Sequence, residues 1–221
     1  IGFAIAELLI KDVIEVIATG TKKDAKYPVG AIYYPVDFLN DESIISFIDF
    51  LKDQKIDILV NNAGINKISE FASINIEDFD QILRVNLRTP FQLCQAVIPY
   101  MIENNWGRIV NLTSIFGNIT KEYHASYSSS KFGLDGMTAA LSAEVSESGI
   151  LANSVGPGFI DTDLTRSVLG SKGISEIQKS IPMNRLGQVD EVASLVSWLV
   201  SEENTYISGQ NLMIDGGFSR V

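Results

Sequence analysis

An α/β fold with a doubly wound parallel sheet, helices on both faces, is predicted by three features of this chain. Short apolar or β-branched runs recur along it, turn residues bound them, and longer segments of 3.6-residue periodicity separate them. The runs are 13–18, 31–36, 58–60, 109–112, 151–155 and 211–214. They suit strands buried on both faces, being short, largely apolar and bounded by turn residues. The third stops at Asn61-Asn62-Ala63-Gly64, the fifth at Gly156-Pro157-Gly158 and the last at Asp215-Gly216-Gly217. The helical segments are 42–54, 76–101, 127–146 and 189–201. In 76–101 the apolar set Phe79, Ile82, Leu83, Leu87, Phe91, Cys94, Val97, Ile98 and Met101 marks one face. No repeat or interdomain linker is visible, so 1–221 reads as one domain. The stretch 162–182, rich in Ser, Gly and Thr, breaks the alternation and reads as flexible.

Bulk properties narrow the function. With 17 basic and 27 acidic residues among 221, the net charge is −10, which argues against nucleic acid or an anionic membrane as the main partner. No apolar run is long enough to span a bilayer. The single cysteine, Cys94, precludes an intrachain disulfide and reads as a core residue. One histidine and one cysteine leave no soft metal site. A cytoplasmic protein acting on a small molecule is the expectation, and in a parallel sheet such ligands bind beyond the carboxyl ends of the strands.

Chemistry is concentrated in the turns after the strands. Tyr127 and Lys131 stand four apart in a helical segment and so share a face. An ammonium there would stabilise the phenolate and lower the phenol pKa toward the range useful for acid–base work; alone, the same spacing also suits a solvated helix face. Ser114 ends the fourth strand, 13 residues before Tyr127. Its hydroxyl would either hold a substrate oxygen against the tyrosine or cap a turn. Asn62, Ala63 and Gly64 let backbone approach a flat ligand. Asn86 lies inside an apolar helix, and as a buried amide it must bond either backbone or water.

This ordered set resembles the short-chain dehydrogenase/reductase family, of the compact type that includes 3-oxoacyl-carrier-protein reductases, and the matching segments run from Ile1-Gly2 to Asp215-Gly216-Gly217. The resemblance implies a Rossmann-type fold and a catalytic tetrad of Asn86, Ser114, Tyr127 and Lys131. It implies that Tyr127 is proton donor and acceptor, Ser114 polarises the carbonyl, Lys131 lowers the phenol pKa and binds the nicotinamide ribose, and Asn86 holds a relay water. Cofactor contacts are then expected from Gly2, Thr21, Asp37, Phe38, Asn62, Ala63, Gly64, Tyr127, Lys131, Pro157, Gly158, Ile160 and Thr162. Substrate contacts are expected from Ser114, Tyr127 and His124, the last at the substrate entrance or else an exposed loop residue. Segment 162–182 becomes a substrate lid whose Leu164, Val168, Leu169 and Ile174 suggest a partly apolar pocket. A homotetramer or homodimer is expected, joined through segments 76–101 and 127–146 and through the C-terminal strand.

The family opens with a strand and a glycine-rich turn. Of these only Gly2 is recognisable, so about 5–15 further residues, one strand and a turn, are expected upstream. After the second of the family's strands the chain reads Thr19-Gly20-Thr21-Lys22-Lys23, with no acidic residue before Asp24. An acidic residue there would favour NAD; its absence favours NADP(H) over NAD(H). Gly156 departs from the usual residue and is expected to loosen its turn. The activity expected is reduction of a ketone or 3-oxoacyl thioester, or its reverse. Alternatives are a dehydrogenase of a sugar or nucleotide-sugar in polysaccharide synthesis, and a non-catalytic dinucleotide-binding regulator.

Overall fold

The computed structural model describes residues 1–221, except for the side chains of Leu164 and Val168, so those two lid expectations lie outside the described residues. The elements alternate as the periodicities require. Helix α1 (Gly2–Lys11) leads into strands β1 (Ile17–Gly20) and β2 (Ile32–Pro35), then α2 (Asp41–Asp53) and β3 (Ile58–Asn61). Helices α3 (Ile76–Leu83) and α4 (Thr89–Glu103) precede β4 (Gly107–Leu112), and α5 (Ala125–Val145) precedes β5 (Ile150–Pro157). Helices α6 (Asp163–Ser180) and α7 (Val189–Val200) precede β6 (Asn211–Ile214). Among the described residues no helix is long and apolar enough to cross a membrane.

All strand pairings are parallel, in the orders β1-β2 and β3-β4-β5-β6. Strand β4 shows why its run is mostly apolar. Val110 and Leu112 pack with Ile5 and Leu9 of α1 and Val192, Val196 and Leu199 of α7. Ile109 faces the other way, onto Cys94, Val97 and Met101 of α4. Successive side chains on a strand alternate in direction, so helices on both faces bury every position. Burial also pushes the Cys94 thiol up to about 12, which fits a core residue rather than a reactive one.

Register gathers the site loops. Asn61 lies beside Asn111, Leu112 beside Val155, and Pro157 beside Ile214. The segments following β3, β4, β5 and β6 therefore leave the sheet at one edge. Arg108 pins the opposite edge. It is 5% exposed and donates to the carbonyls of Gly107, Gly149, Ser201 and Asn204, with its guanidinium 4.6 Å over the Trp106 ring.

Four local expectations are corrected. The first strand begins at Ile17, not Val13, because Val13 has φ 63° and its segment closes α1 through bonds from Val13 to Ile10 and Ile14 to Leu9. The segment read as one helix over 76–101 is broken by a π turn, Arg84–Arg88, centred on Asn86. The segment 162–182, read as flexible, is mostly helix α6, interrupted at Gly170 (φ 61°, ψ 177°). Gly156 loosens nothing: it sits within β5, and a Cβ there would occupy the space of the Met213 side chain. The sheet itself departs from continuity at one place. No pairing joins β1 to β3, and both border a cleft of about 1590 Å³.

Candidate active site

Ser114 immediately follows β4 and one residue of extended chain, and its hydroxyl accepts a bond from the Phe116 backbone N–H at 3.2 Å. That short turn packs flat on α5, since a Cβ on Gly117 would come within 3.1 Å of the Lys131 backbone. Helix α5 starts at Ala125, so Tyr127 lies in its first turn and Lys131 one turn on. The Ser114 side chain neighbours the Tyr127 phenol and acts on it to favour the ionised form. The Lys131 ammonium stands 5.7 Å from the centroid of the Tyr127 ring and donates to the Leu112 carbonyl at 2.7 Å.

Asn86 holds this cluster to the loop after β3. Its Oδ1 accepts from the Ile65 N–H at 2.8 Å, and its Nδ2 donates to the Ile65 carbonyl and to Ser130 Oγ. The amide is thus satisfied by loop backbone, the first of the two outcomes expected for a buried Asn. A Cβ on Gly64 would meet Lys131 Nζ at 3.4 Å and Asn86 Oδ1 at 3.5 Å, so the two flank that glycine. Ser130 was not anticipated; it donates to the Tyr127 carbonyl at 2.7 Å and links Asn86 to the tyrosine turn. A second unanticipated chain supports the site from below: Asn61 donates to Asn111, Asn111 to Thr138, and Thr138 to the Leu134 carbonyl. An amide interrupting the apolar run 109–112 is the signal that could have revealed it.

The electrostatics differ from the expectation. Burial raises the Tyr127 phenol above its ordinary value, and the Ser114 side chain only partly opposes this. Lys131 is not among the groups shifting it. Burial instead lowers Lys131 to about 8. Desolvation disfavours the charged form of each group and here exceeds the cation's pull on the phenolate. The resting site therefore holds a neutral phenol beside a lysine that gives up its proton near pH 8, a pair suited to passing a proton to a developing alkoxide.

The cofactor expectations divide. Gly2, Thr21, Phe38, Asn62 and Ala63 line the cleft between β1 and β3. Gly64 lies beside Lys131 as above, and Pro157 ends β5. The Gly158 N–H donates to the Ile214 carbonyl at 2.9 Å. Asp37 is exposed, its Oδ1 accepting from the Leu39 N–H. The Ile160 side chain is 5% exposed within the core, which leaves only its backbone for a ligand. The Thr162 hydroxyl caps α6 by accepting from the Thr165 N–H. His124 is the residue before α5; its Nδ1 lies 2.8 Å from the Glu122 carbonyl, so Nδ1 carries the proton there.

A nicotinamide dinucleotide fits this arrangement. The N-terminus of α1, at Gly2, lies against Asn62, where a Cβ would come within 2.5 Å of Nδ2. A helix start without a side-chain cap offers N–H groups to a phosphate. The buried Thr89 hydroxyl on the cleft wall has no partner among the described residues.

The family model described as enoyl-(acyl carrier protein) reductase matches residues 1–219. The 3-oxoacyl-(acyl-carrier-protein) reductase of Aquifex aeolicus is 37% identical over 229 residues, covering 98% of this chain and 92% of that protein. Its counterpart from Rickettsia conorii is 38% identical over 227 residues, covering 100% and 93%. Among solved structures, a gluconate 5-dehydrogenase from Burkholderia cenocepacia in complex with NADP and tartrate matches with TM-score 0.89 and 27% identity, over 99% of this chain and 90% of that one. On the ordered motifs, their convergence in space and these likenesses, the chain belongs to the short-chain dehydrogenase/reductase family and is an oxidoreductase that interconverts C=O and CH–OH groups with a nicotinamide dinucleotide.

Proposed function

We propose that the protein reduces 3-oxoacyl thioesters to 3-hydroxyacyl thioesters with NADPH. The observation that carries the reading is the convergence of Ser114 and Tyr127 with Lys131 one helical turn on, its ammonium 5.7 Å from the Tyr127 ring centroid. When bound, the reduced nicotinamide supplies the hydride that the carbonyl carbon takes up. Tyr127 gives its phenolic proton to the carbonyl oxygen, and the Ser114 hydroxyl donates a hydrogen bond to the same oxygen. Lys131 returns a proton toward Tyr127 and holds the ribose, and Asn86 keeps the loop 62–65 against both. One ketone, one NADPH and one proton give one secondary alcohol and NADP+. The relatives from Aquifex aeolicus and Rickettsia conorii support the thioester class. Thr21, Lys22 and Lys23, all exposed after β1 with no carboxylate among them, support a 2′-phosphate.

In this reading α6 covers the substrate. Copies of the chain associate through α4 and α5, where Phe91 and Phe132 are 48% and 46% exposed; light scattering showing a monomer alone would count against that. A further strand laid parallel between β1 and β3 would pair both open edges.

Tyr127→Phe tests the mechanism. Turnover of acetoacetyl thioester should fall about a thousandfold, within the range for loss of a general acid, while NADPH binding followed by fluorescence stays near wild type. Wild-type turnover in that variant would overturn it. The likeness to a gluconate 5-dehydrogenase motivates a second reading, a polyol dehydrogenase. Gluconate oxidation faster than thioester reduction would favour it.

A further inference from the structure

Four rings stand at the strand ends beside the Ser114–Tyr127 pair. Phe116 lies two residues after Ser114, and His124 three before Tyr127. Phe159 follows β5, and Phe218 follows β6. Their centroids form a connected series: Phe116 to His124 is 4.6 Å, Phe116 to Phe159 is 6.5 Å edge-on, and Phe159 to Phe218 is 5.2 Å edge-on. All four are half-buried, whereas Ser114, Ile115 and Ile160 next to them in sequence are buried. The series is contributed by three separate connections, those after β4, β5 and β6, so sequence neighbourhood alone does not explain it.

The backbone is arranged to bring the far rings together. A Cβ on Gly158 would meet the Asp215 Cα at 2.7 Å, so the chain before Phe159 lies directly on the chain before Phe218. Asp215 in turn accepts from the Gly217 and Ser219 N–H groups and fixes the turn that carries Phe218. The end of the α6 segment borders the same place: the Met183 N–H donates to the Gly216 carbonyl, and Cβ atoms on Gly216 and Gly217 would touch Ile181 and Pro182. The one heteroaromatic member of the series, His124, has a single ring nitrogen engaged, by the Glu122 carbonyl.

We propose that Phe116, Phe159 and Phe218, with His124 at the start, form a track for the alkyl chain of the substrate, running from the reacting carbonyl toward the end of α6. The inference rests on the thioester-reductase reading and sharpens it: the site selects 3-oxoacyl groups of medium chain length over acetoacetyl groups and over polyols. Apolar area removed from water along such a track is worth about fourfold in kcat/KM per methylene.

The test compares kcat/KM for acetoacetyl, 3-oxohexanoyl and 3-oxooctanoyl N-acetylcysteamine thioesters with NADPH. In the wild-type enzyme the value should rise steeply with chain length. In Phe159→Ala the ratio of 3-oxooctanoyl to acetoacetyl should drop at least tenfold. Phe218→Ala, in the C-terminal turn outside the core, should lower the same ratio and keeps the test readable if Phe159→Ala does not fold. A flat wild-type series with active enzyme, or ratios unchanged in the soluble variants, overturns the track and leaves the thioester reading standing. No reduction of any thioester by the wild-type enzyme overturns that reading, and the track with it.

Discussion

The two ends of the sheet are built to different standards. Around β4 and β5, side chains are buried on both faces, and polar groups are linked through Asn61, Asn111 and Thr138. Ser114, Tyr127, Lys131 and Asn86 are held there by at least one hydrogen bond each. Around β1 and β2 the strands are four residues long, half-buried, and unpaired toward β3. The proton-transfer half is organised before any ligand arrives, which is what catalysis by fixed dipoles and donors requires. The dinucleotide half rests on short, half-buried strands, and a ligand bound there adds to its stability.

That contrast can be broken or sharpened by experiment, beginning with the largest effect. Arg108→Ala removes the donor shared by four carbonyls at the sheet edge remote from the site. Stability should fall by about 3 kcal/mol, the scale for leaving buried polar groups unpaired. Denaturant unfolding checks this, and kcat below the melting range should hold. A loss under 0.5 kcal/mol would show that this half is not tied as described. Next, backbone amides of β1 and β2 should exchange with deuterium on the order of a hundredfold faster than those of β4 and β5, and added NADPH should narrow the gap. Equal protection without ligand would erase the comparison.

Gly2→Val should then weaken NADPH binding about tenfold, because a Cβ at Gly2 meets the Asn62 amide at the helix start expected to receive phosphate. Titration of the cofactor checks it, and kcat at saturating cofactor should change little. The smallest effect concerns pH. Burial depresses Lys131 to about 8, so its ammonium predominates at pH 7 and is lost as pH rises through 8. An anionic dinucleotide favours the ammonium, so its affinity should fall severalfold between pH 7 and pH 9. Lys131→Met should bind more weakly throughout and lack that slope; a flat profile in the wild-type protein would refute the coupling.

Much of this was legible in the residues. The strand runs from 31, 58, 109, 151 and 211 hold because short, largely apolar segments bounded by turns have few alternatives between two helical layers. That Ser114, Tyr127 and Lys131 come together was legible because i and i+4 share a helix face and because Ser114 follows the carboxyl end of a strand. The direction of the tyrosine shift was not, since spacing reports which groups are near but not how much water each has lost. Nor was the π turn at Asn86, whose cause is a bond to loop backbone 21 residues away.

Composition and period by themselves determined an acidic α/β domain, the order of its elements and the helix that carries the acid–base pair. Only the tertiary structure decided which polar groups lost their water and that rings from three distant connections meet. Local pattern fixes the direction in which a side chain leaves its own element. Desolvation and long-range contact depend on what the other elements bring against it.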